Sequence, residues 1–394
     1  DNMKEEKRLY PMKFLPIFKE RIWGGQRIKT VLGLDAGDMP ACGEAWMLSG
    51  LEDDDSVVAN GFLEGNTLSE LTEVYMGDLV GEAVYQRFGC QFPLLFKWID
   101  AETDLSVQVH PDDALAMERE GALGKTEMWF VREARPGSRL ICDFKNGVTR
   151  EVYLRALQDH RIERVLQSYP VQEGEAYYLP AGTVHALGAG LLVAEIQQSS
   201  DITYRIYDWD RKDASGKERP LHVVEAMEAL TFPGEAEAHD HCGCGHDHGH
   251  EDRGHCGCGH DHAHEDGHGQ KGHGGEEPPA GPVRYRRQLN RTQTLVGGPH
   301  FHTGYLGLTS AIEKDLSDID SFVVYMCTAG QAVLKADGQV VEIGMGELVL
   351  LPATTDRVAL YPDVKGCELL EVYMPVEPER PSETERNPAS AWLN

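Results

Sequence analysis

The sequence predicts a mainly β protein: double-stranded β-helix (jelly-roll) domains in tandem, with a few short peripheral helices. Three observations lead there. First, Gly174-Glu175-Ala176-Tyr177-Tyr178-Leu179-Pro180-Ala181-Gly182-Thr183-Val184-His185 returns in degenerate form as Gly346-Glu347-Leu348-Val349-Leu350-Leu351-Pro352-Ala353-Thr354-Thr355-Asp356-Arg357. A repeated β-unit implies two related domains, the second having Arg357 where the first has His185. Second, the stretch from about Val283 to Pro375 is rich in short alternating runs, with Asp337-Gly338 between two of them as a hairpin signal. Third, helical periodicity is confined to two stretches.

In chain order, the first such stretch is 66–88, with Leu68, Leu71, Val74, Tyr75, Leu79 and Val84 at near-helical spacing and Gly77 and Gly81 as interruptions. Strands follow. Leu94 to Ile99 is apolar apart from Lys97, and Leu105 to His110 alternates so that Ser106, Gln108 and His110 share a face. Lys125, Glu127 and Trp129 share a face if their segment is extended. The second helical stretch is 149–168, with Val152, Leu154, Leu157, Ile162, Val165 and Leu166 apolar. The plan is a first β-domain over 1–234, an insertion over 235–282, and a second, degenerate β-domain over 283–394.

The insertion is of a different kind. Eleven of the chain's 17 histidines lie between His239 and His273, in two near-identical units that begin at His241 and His255 and each carry Cys-Gly-Cys. With almost no large apolar residue it cannot build a core, so disorder is expected. Thiolate and imidazole at this density suit weak transition-metal binding.

At 394 residues with 41% hydrophobic content, two domains with sizeable cores are expected. The net charge of −28 disfavours nucleic acid and anionic membrane as partners. No apolar run is long enough to span a bilayer, and the N-terminus shows no signal-peptide pattern. Cys42, Cys90, Cys142, Cys327 and Cys367 are scattered without metal or disulfide spacing, as expected of reduced thiols in a cytoplasmic protein.

The chemistry is concentrated in three motifs: Gln108-Val109-His110-Pro111-Asp112-Asp113, Gly124-Lys125-Thr126-Glu127 and Pro180-Ala181-Gly182-Thr183-Val184-His185. They supply two imidazoles, a carboxylate and an amide; two His and one carboxylate leave positions open on a divalent metal, as catalytic sites do, whereas structural zinc sites are usually closed by four protein ligands. A lone His in an apolar strand is usually a hydrogen-bonded core residue, so the argument rests on the three motifs occurring together.

These motifs, with Gln197-Gln198-Ser199-Ser200-Asp201-Ile202-Thr203-Tyr204-Arg205, Ile22-Trp23-Gly24-Gly25 and Gly43-Glu44-Ala45-Trp46, resemble the short bacterial form of class I mannose-6-phosphate isomerase. The resemblance runs from about Phe14 to Leu230 and resumes after the insertion. It implies a cupin fold and one zinc ion on His110, Glu127 and His185, with Gln108 as a further ligand in longer relatives. It also marks Arg205 as an active-site residue. The His/Cys tract departs from the family pattern.

The implied reaction moves a proton between C2 and C1 of a sugar phosphate through a cis-enediol, and a divalent metal could hold the charge that develops. Lys125 is a candidate proton carrier or substrate contact, and Arg205 a fixed cation for substrate oxygens. Lys97 and Glu44 are candidate substrate-binding residues. The base is open among Lys125, a carboxylate such as Glu44, and metal-bound water. Trp23, Trp46 and Trp129 read more readily as core. The alternatives are an isomerase of other sugar-phosphate specificity, or a non-catalytic metal-binding or sugar-sensing cupin with a metal-buffering tract.

Overall fold

The computed structural model describes residues 8–213, 215–235 and 277–375. The expected disorder and metal binding of the His/Cys tract fall outside the described residues.

The first half opens with β1 (Ile17–Gly25), the single turn α1 (Arg27–Thr30) and β2 (Cys42–Leu48). The hairpin β3 (Gly50–Leu51) and β4 (Asp54–Asp55) leads to α2 (Leu68–Tyr75), α3 (Gly77–Val80) and α4 (Glu82–Phe88). Then come β5 (Leu94–Ala101), β6 (Val107–Val109), α5 (Asp113–Glu120), β7 (Glu127–Ala134) and β8 (Arg139–Phe144). Helix α6 (Arg150–Gln158) precedes β9 (Leu166–Pro170), β10 (Ala176–Leu179), β11 (His185–Leu187), β12 (Leu191–Gln198), β13 (Tyr204–Tyr207) and α7 (Val223–Ala229). From Gly281 on, the described elements are all β: β14 (Gly281–Val283), β15 (Gln293–Gly297), β16 (His302–Leu308), β17 (Ile312–Asp315), β18 (Val323–Ala336), β19 (Gln339–Gly344), β20 (Leu348–Leu351) and β21 (Arg357–Tyr373).

The two helical stretches are shorter than their periodicity suggests. The first is cut into three at Met76 and Gly81, both at positive φ. The second ends at Gln158, and its last apolar residues turn into β9, which pairs with β8.

Two sheets make the first jelly roll, in the orders β1-β2-β5-β12-β7-β10-β14 and β13-β6-β11-β8-β9. Strand β14 closes the edge of the larger sheet against β10, so the expected second domain follows a strand that completes the first domain's sheet. Register aligns chemistry across strands. Trp46, Lys97, Glu195 and Trp129 form one row of the larger sheet, and Gln197 and Glu127 pair two residues further along the same face. In the smaller sheet, Arg205, Gln108, His185 and Cys142 form a row.

The opposite face of the larger sheet carries Phe96, Trp98, Met128, Phe130 and Ile196. It packs on Val324, Met326, Leu348, Leu350, Leu370 and Val372 of the second half in one shared core. In the second half, β15-β16-β21-β18-β19 with β17 and β20 form one sheet around a separate apolar core that includes Tyr325, Leu334, Ile343, Leu351 and Leu360.

The repeat read from the sequence is repeated in hydrogen bonds. Gly174 and Gly346 both have positive φ (81° and 89°). Glu175 accepts the N–H of Gln172 and Glu347 that of Gly344, while Thr183 N–H reaches Pro180 O and Thr355 N–H reaches Pro352 O. The copies diverge at the next position of interest. His185 is buried, whereas Arg357 is exposed beside Glu313 and Asp315. Asp337-Gly338 forms the predicted hairpin turn, both residues at positive φ, with Ala336 paired to Gln339.

Candidate metal centre and cavity

Each imidazole is delivered by a strand end and fixed by a carbonyl. His110 follows β6, and its Nδ1 lies 2.8 Å from Ile202 O; His185 opens β11, with Nδ1 2.8 Å from Thr183 O. These contacts place the ring protons on Nδ1 and turn both Nε2 lone pairs inward. The two Nε2 atoms stand 3.1 Å apart, and Glu127 at the start of β7 brings Oε1 to 3.2 Å from His185 and Oε2 to 3.4 Å from His110. All three side chains are buried, and one donor atom from each lies within 4.8 Å of the others.

Facing lone pairs and a carboxylate with no conventional hydrogen-bond donor on either oxygen are costly without a shared cation. The group therefore fits a metal ion. Burial drives the His110 imidazole well below its usual pKa, with Lys125 and His185 adding to the effect, and burial likewise lowers His185 against the pull of Glu127. Both directions favour the neutral imidazole, the form able to bind a metal. The Gln108 amide lies 3.3 Å from His185 Nε2, and a half-turn of that amide presents its oxygen to the same point.

Beside this group a cavity of about 580 Å³ opens between the sheets. Gln108, Lys125, Lys97, Glu44 and Arg205 all line it, so every candidate from the sequence reaches either the metal group or this one cavity. Lys125 lies before β7 rather than in it, yet its Nζ is 3.8 Å from Glu127. Burial, followed by Lys97, lowers its pKa against the carboxylates nearby.

The carboxylates differ in freedom. Glu44 is gripped by Arg21 at 3.0 and 3.2 Å and by the Trp46 indole N–H at 2.8 Å. Burial would raise its pKa, but Lys97 and Arg21 outweigh that and hold it below its ordinary value. Arg205 makes no ion pair among the described residues. Asp208, a candidate partner for it, is taken by Arg211 and Arg219, leaving Arg205 one side-chain bond, to Pro220 O, and a buried Nε without a partner.

Sequence reasoning missed Glu195. Its Oε1 is 3.4 Å from Lys97 Nζ and its Oε2 accepts from Trp129 Nε1 at 2.8 Å, inside the cavity. The available signal was the one that singled out Lys97: a charge within a wholly buried apolar strand. Trp46 was read as core. It is buried, but it also lines the cavity, with the ammoniums of Lys19 and Lys97 each 4.8 Å from its ring centroid.

Residues 12–128 match the family model for the type I phosphomannose isomerase catalytic domain. The chain is 42% identical over 232 residues to mannose-6-phosphate isomerase ManA of Bacillus subtilis, covering 58% of this chain and 70% of that protein. It is 40% identical over 213 residues to the mannose-6-phosphate isomerase of Streptococcus mutans, covering 54% and 65%. The crystal structure of the Bacillus subtilis mannose 6-phosphate isomerase superposes with a TM-score of 0.70 at 29% identity, over 93% of this chain and 100% of that one. Phosphomannose isomerase from Salmonella typhimurium, at 16% identity and a TM-score of 0.65, shares the fold over 93% and 100%. With these similarities added to the buried His110–Glu127–His185 group, the chain belongs to the type I phosphomannose isomerase family.

Proposed function

We propose that this protein interconverts mannose 6-phosphate and fructose 6-phosphate, with zinc held by His110, Glu127, His185 and Gln108. The observation that carries the reading is the convergence of three buried donors on one point at the side of a cation-lined cavity, in a chain of this family. Two imidazole nitrogens and a carboxylate suit zinc and would leave a position for water or substrate, with the Gln108 amide as a further donor in an expanded shell. When bound, the ion supplies a positive charge that stabilises the anion developing on the sugar oxygens.

The chain's own residues do the rest. Arg205, with no carboxylate partner among the described residues and next to Gln108 in the sheet, offers a guanidinium fork to substrate oxygens. Lys97 binds phosphate or sugar hydroxyls, and Glu44 accepts from sugar hydroxyls in its ionised form, held so by Lys97 and Arg21. That grip makes Glu44 a poor base. Glu195, bonded by the Trp129 indole N–H and beside Lys97 but with no guanidinium fork on it, faces the cavity two residue pairs along the sheet from Glu127 and is placed to take the proton from carbon, with Lys125 placed to pass a proton between the oxygens. The domain plan belongs to the same reading: a catalytic cupin over 1–234, a His/Cys insertion over 235–282 with weak transition-metal affinity, and a metal-free cupin over 283–394.

The test is a coupled assay of fructose 6-phosphate formation from mannose 6-phosphate, on protein stripped by chelator and resupplied with zinc, beside His110→Ala. Activity should vanish on stripping, return with zinc and be absent from the variant. A folded, zinc-loaded protein that does not turn over mannose 6-phosphate overturns the assignment.

A further inference from the structure

The metal donors come from three chain segments, and a buried hydrogen-bond strap joins two of them where nothing in the reaction requires it. The strap has Gln198 at its centre. The last residue of β12, Gln198 is 4% exposed. Its Oε1 accepts the Thr126 N–H at 2.9 Å, its own N–H reaches Thr126 O at 3.1 Å, and its Nε2 donates to Asp113 Oδ1 at 2.9 Å.

Thr126 immediately precedes Glu127, and Asp113 lies three residues beyond His110. The same Asp113 oxygen accepts the Gly124 N–H at 2.8 Å, and Lys125 N–H reaches Pro111 O at 3.0 Å. Thr126 also ties in the third segment, since its hydroxyl accepts the Ala181 N–H at 3.0 Å just before His185. The Gln198 amide thus joins the Asp113–Gly124 contact in linking the peptide that carries Glu127 to the one that carries His110, and is the link placed next to Glu127 itself.

We infer that Gln198 is a positioning residue for the metal centre, setting the separation of Glu127 from His110 through Thr126 and Asp113 without touching metal or substrate. The inference rests on the metal reading above. Groups that fix metal ligands from behind typically change metal affinity by about 10–100-fold when removed. Gln198→Met keeps the volume and removes both side-chain bonds.

The experiment measures zinc affinity of the full chain by competition with a chromogenic chelator, well below the thermal midpoint of the apo protein. Parent and Gln198→Met are compared, each also in the His110→Ala background, so that zinc bound elsewhere cancels. The expected result is zinc binding about 10–100-fold weaker in Gln198→Met, no further change in the His110→Ala background, and a cooperative apo melt whose midpoint is lowered to the same extent in both backgrounds, since Thr126 N–H loses its acceptor. Asp113→Ala, which removes the acceptor at the other end of the strap, is read the same way and serves if Gln198→Met does not fold. Equal affinity in a folded variant, or an equal loss in both backgrounds, overturns the inference alone. A parent that binds no more zinc than His110→Ala overturns it together with the metal reading.

Discussion

Gly124 decides how closely two ligand-bearing segments approach. A Cβ there would meet the Asp112 carbonyl carbon and the Asp113 nitrogen at 2.5 Å, and both are backbone atoms with nowhere to go. Gly124→Ala must therefore push Glu127's segment away from His110's. A displacement near 1 Å in a catalytic constellation costs about 10²-fold in rate, so kcat/KM should fall about that far, with reduced zinc content at equal protein concentration. Arg205 gives a second prediction at this scale. Because it has no carboxylate partner among the described residues, its loss leaves no stranded counter-ion among them. Arg205→Ala should lower kcat/KM by about 10²–10³-fold with little change in thermal midpoint. Arg205→Lys, with charge but no fork, should recover only part of the activity. Steady-state kinetics beside a thermal melt checks both.

Around β13, the segment that carries Arg205 is held by a carboxylate. Asp208 is buried and bonded by Arg211 and Arg219, the latter lining the cavity. Burial would raise its pKa, but the two guanidiniums outweigh that and hold it below its ordinary 3.8. A depressed carboxylate contributes stability that is complete above the unfolded value and is lost as pH falls through the folded one. Asp208→Asn should therefore be less stable than the parent at pH 7, with the difference shrinking below about pH 4, as urea unfolding at both pH values would show. At this scale the sequence was legible where period and motif agreed. Alternation placed Gln108 and His110 on one face, and Asp337-Gly338 gave its hairpin. It was misleading where a tertiary edge won: Leu166 continues a helical pattern, but pairing with β8 draws it into a strand. Glu195 carried only the weak signal of a charge in an apolar strand and Gln198 none, because one polar residue in a strand acquires its role from what lies across the sheet, Lys97 and Trp129 for the first, Thr126 for the second.

The larger sheet of the first half has the cavity on one side and the second half on the other. Lys97 and Glu195 project into the cavity from β5 and β12, while Trp98 and Ile196, their sequence neighbours, project into the shared core. Trp98 is fully buried and donates its indole N–H to Gly346 O at 2.9 Å, in the turn that repeats the one at Gly174. The second half thus backs the sheet whose other face does the chemistry, although its own interior is filled with apolar side chains. Two consequences can be measured together. Trp98→Ala should cost about 3–5 kcal/mol, the usual range for emptying a buried aromatic site, and should lower activity only as the folded fraction falls. A chain ending at 283 would expose Phe96, Trp98, Met128, Phe130 and Ile196 to water as one apolar face, so it should aggregate or bind a hydrophobic dye strongly instead of folding into an active enzyme. Were that shortened chain soluble, cooperatively folded and as active as the parent, the second half would be a separable appendage and the shared core would count for little; co-expression of the two halves restoring activity would mark the core as the join that the site depends on.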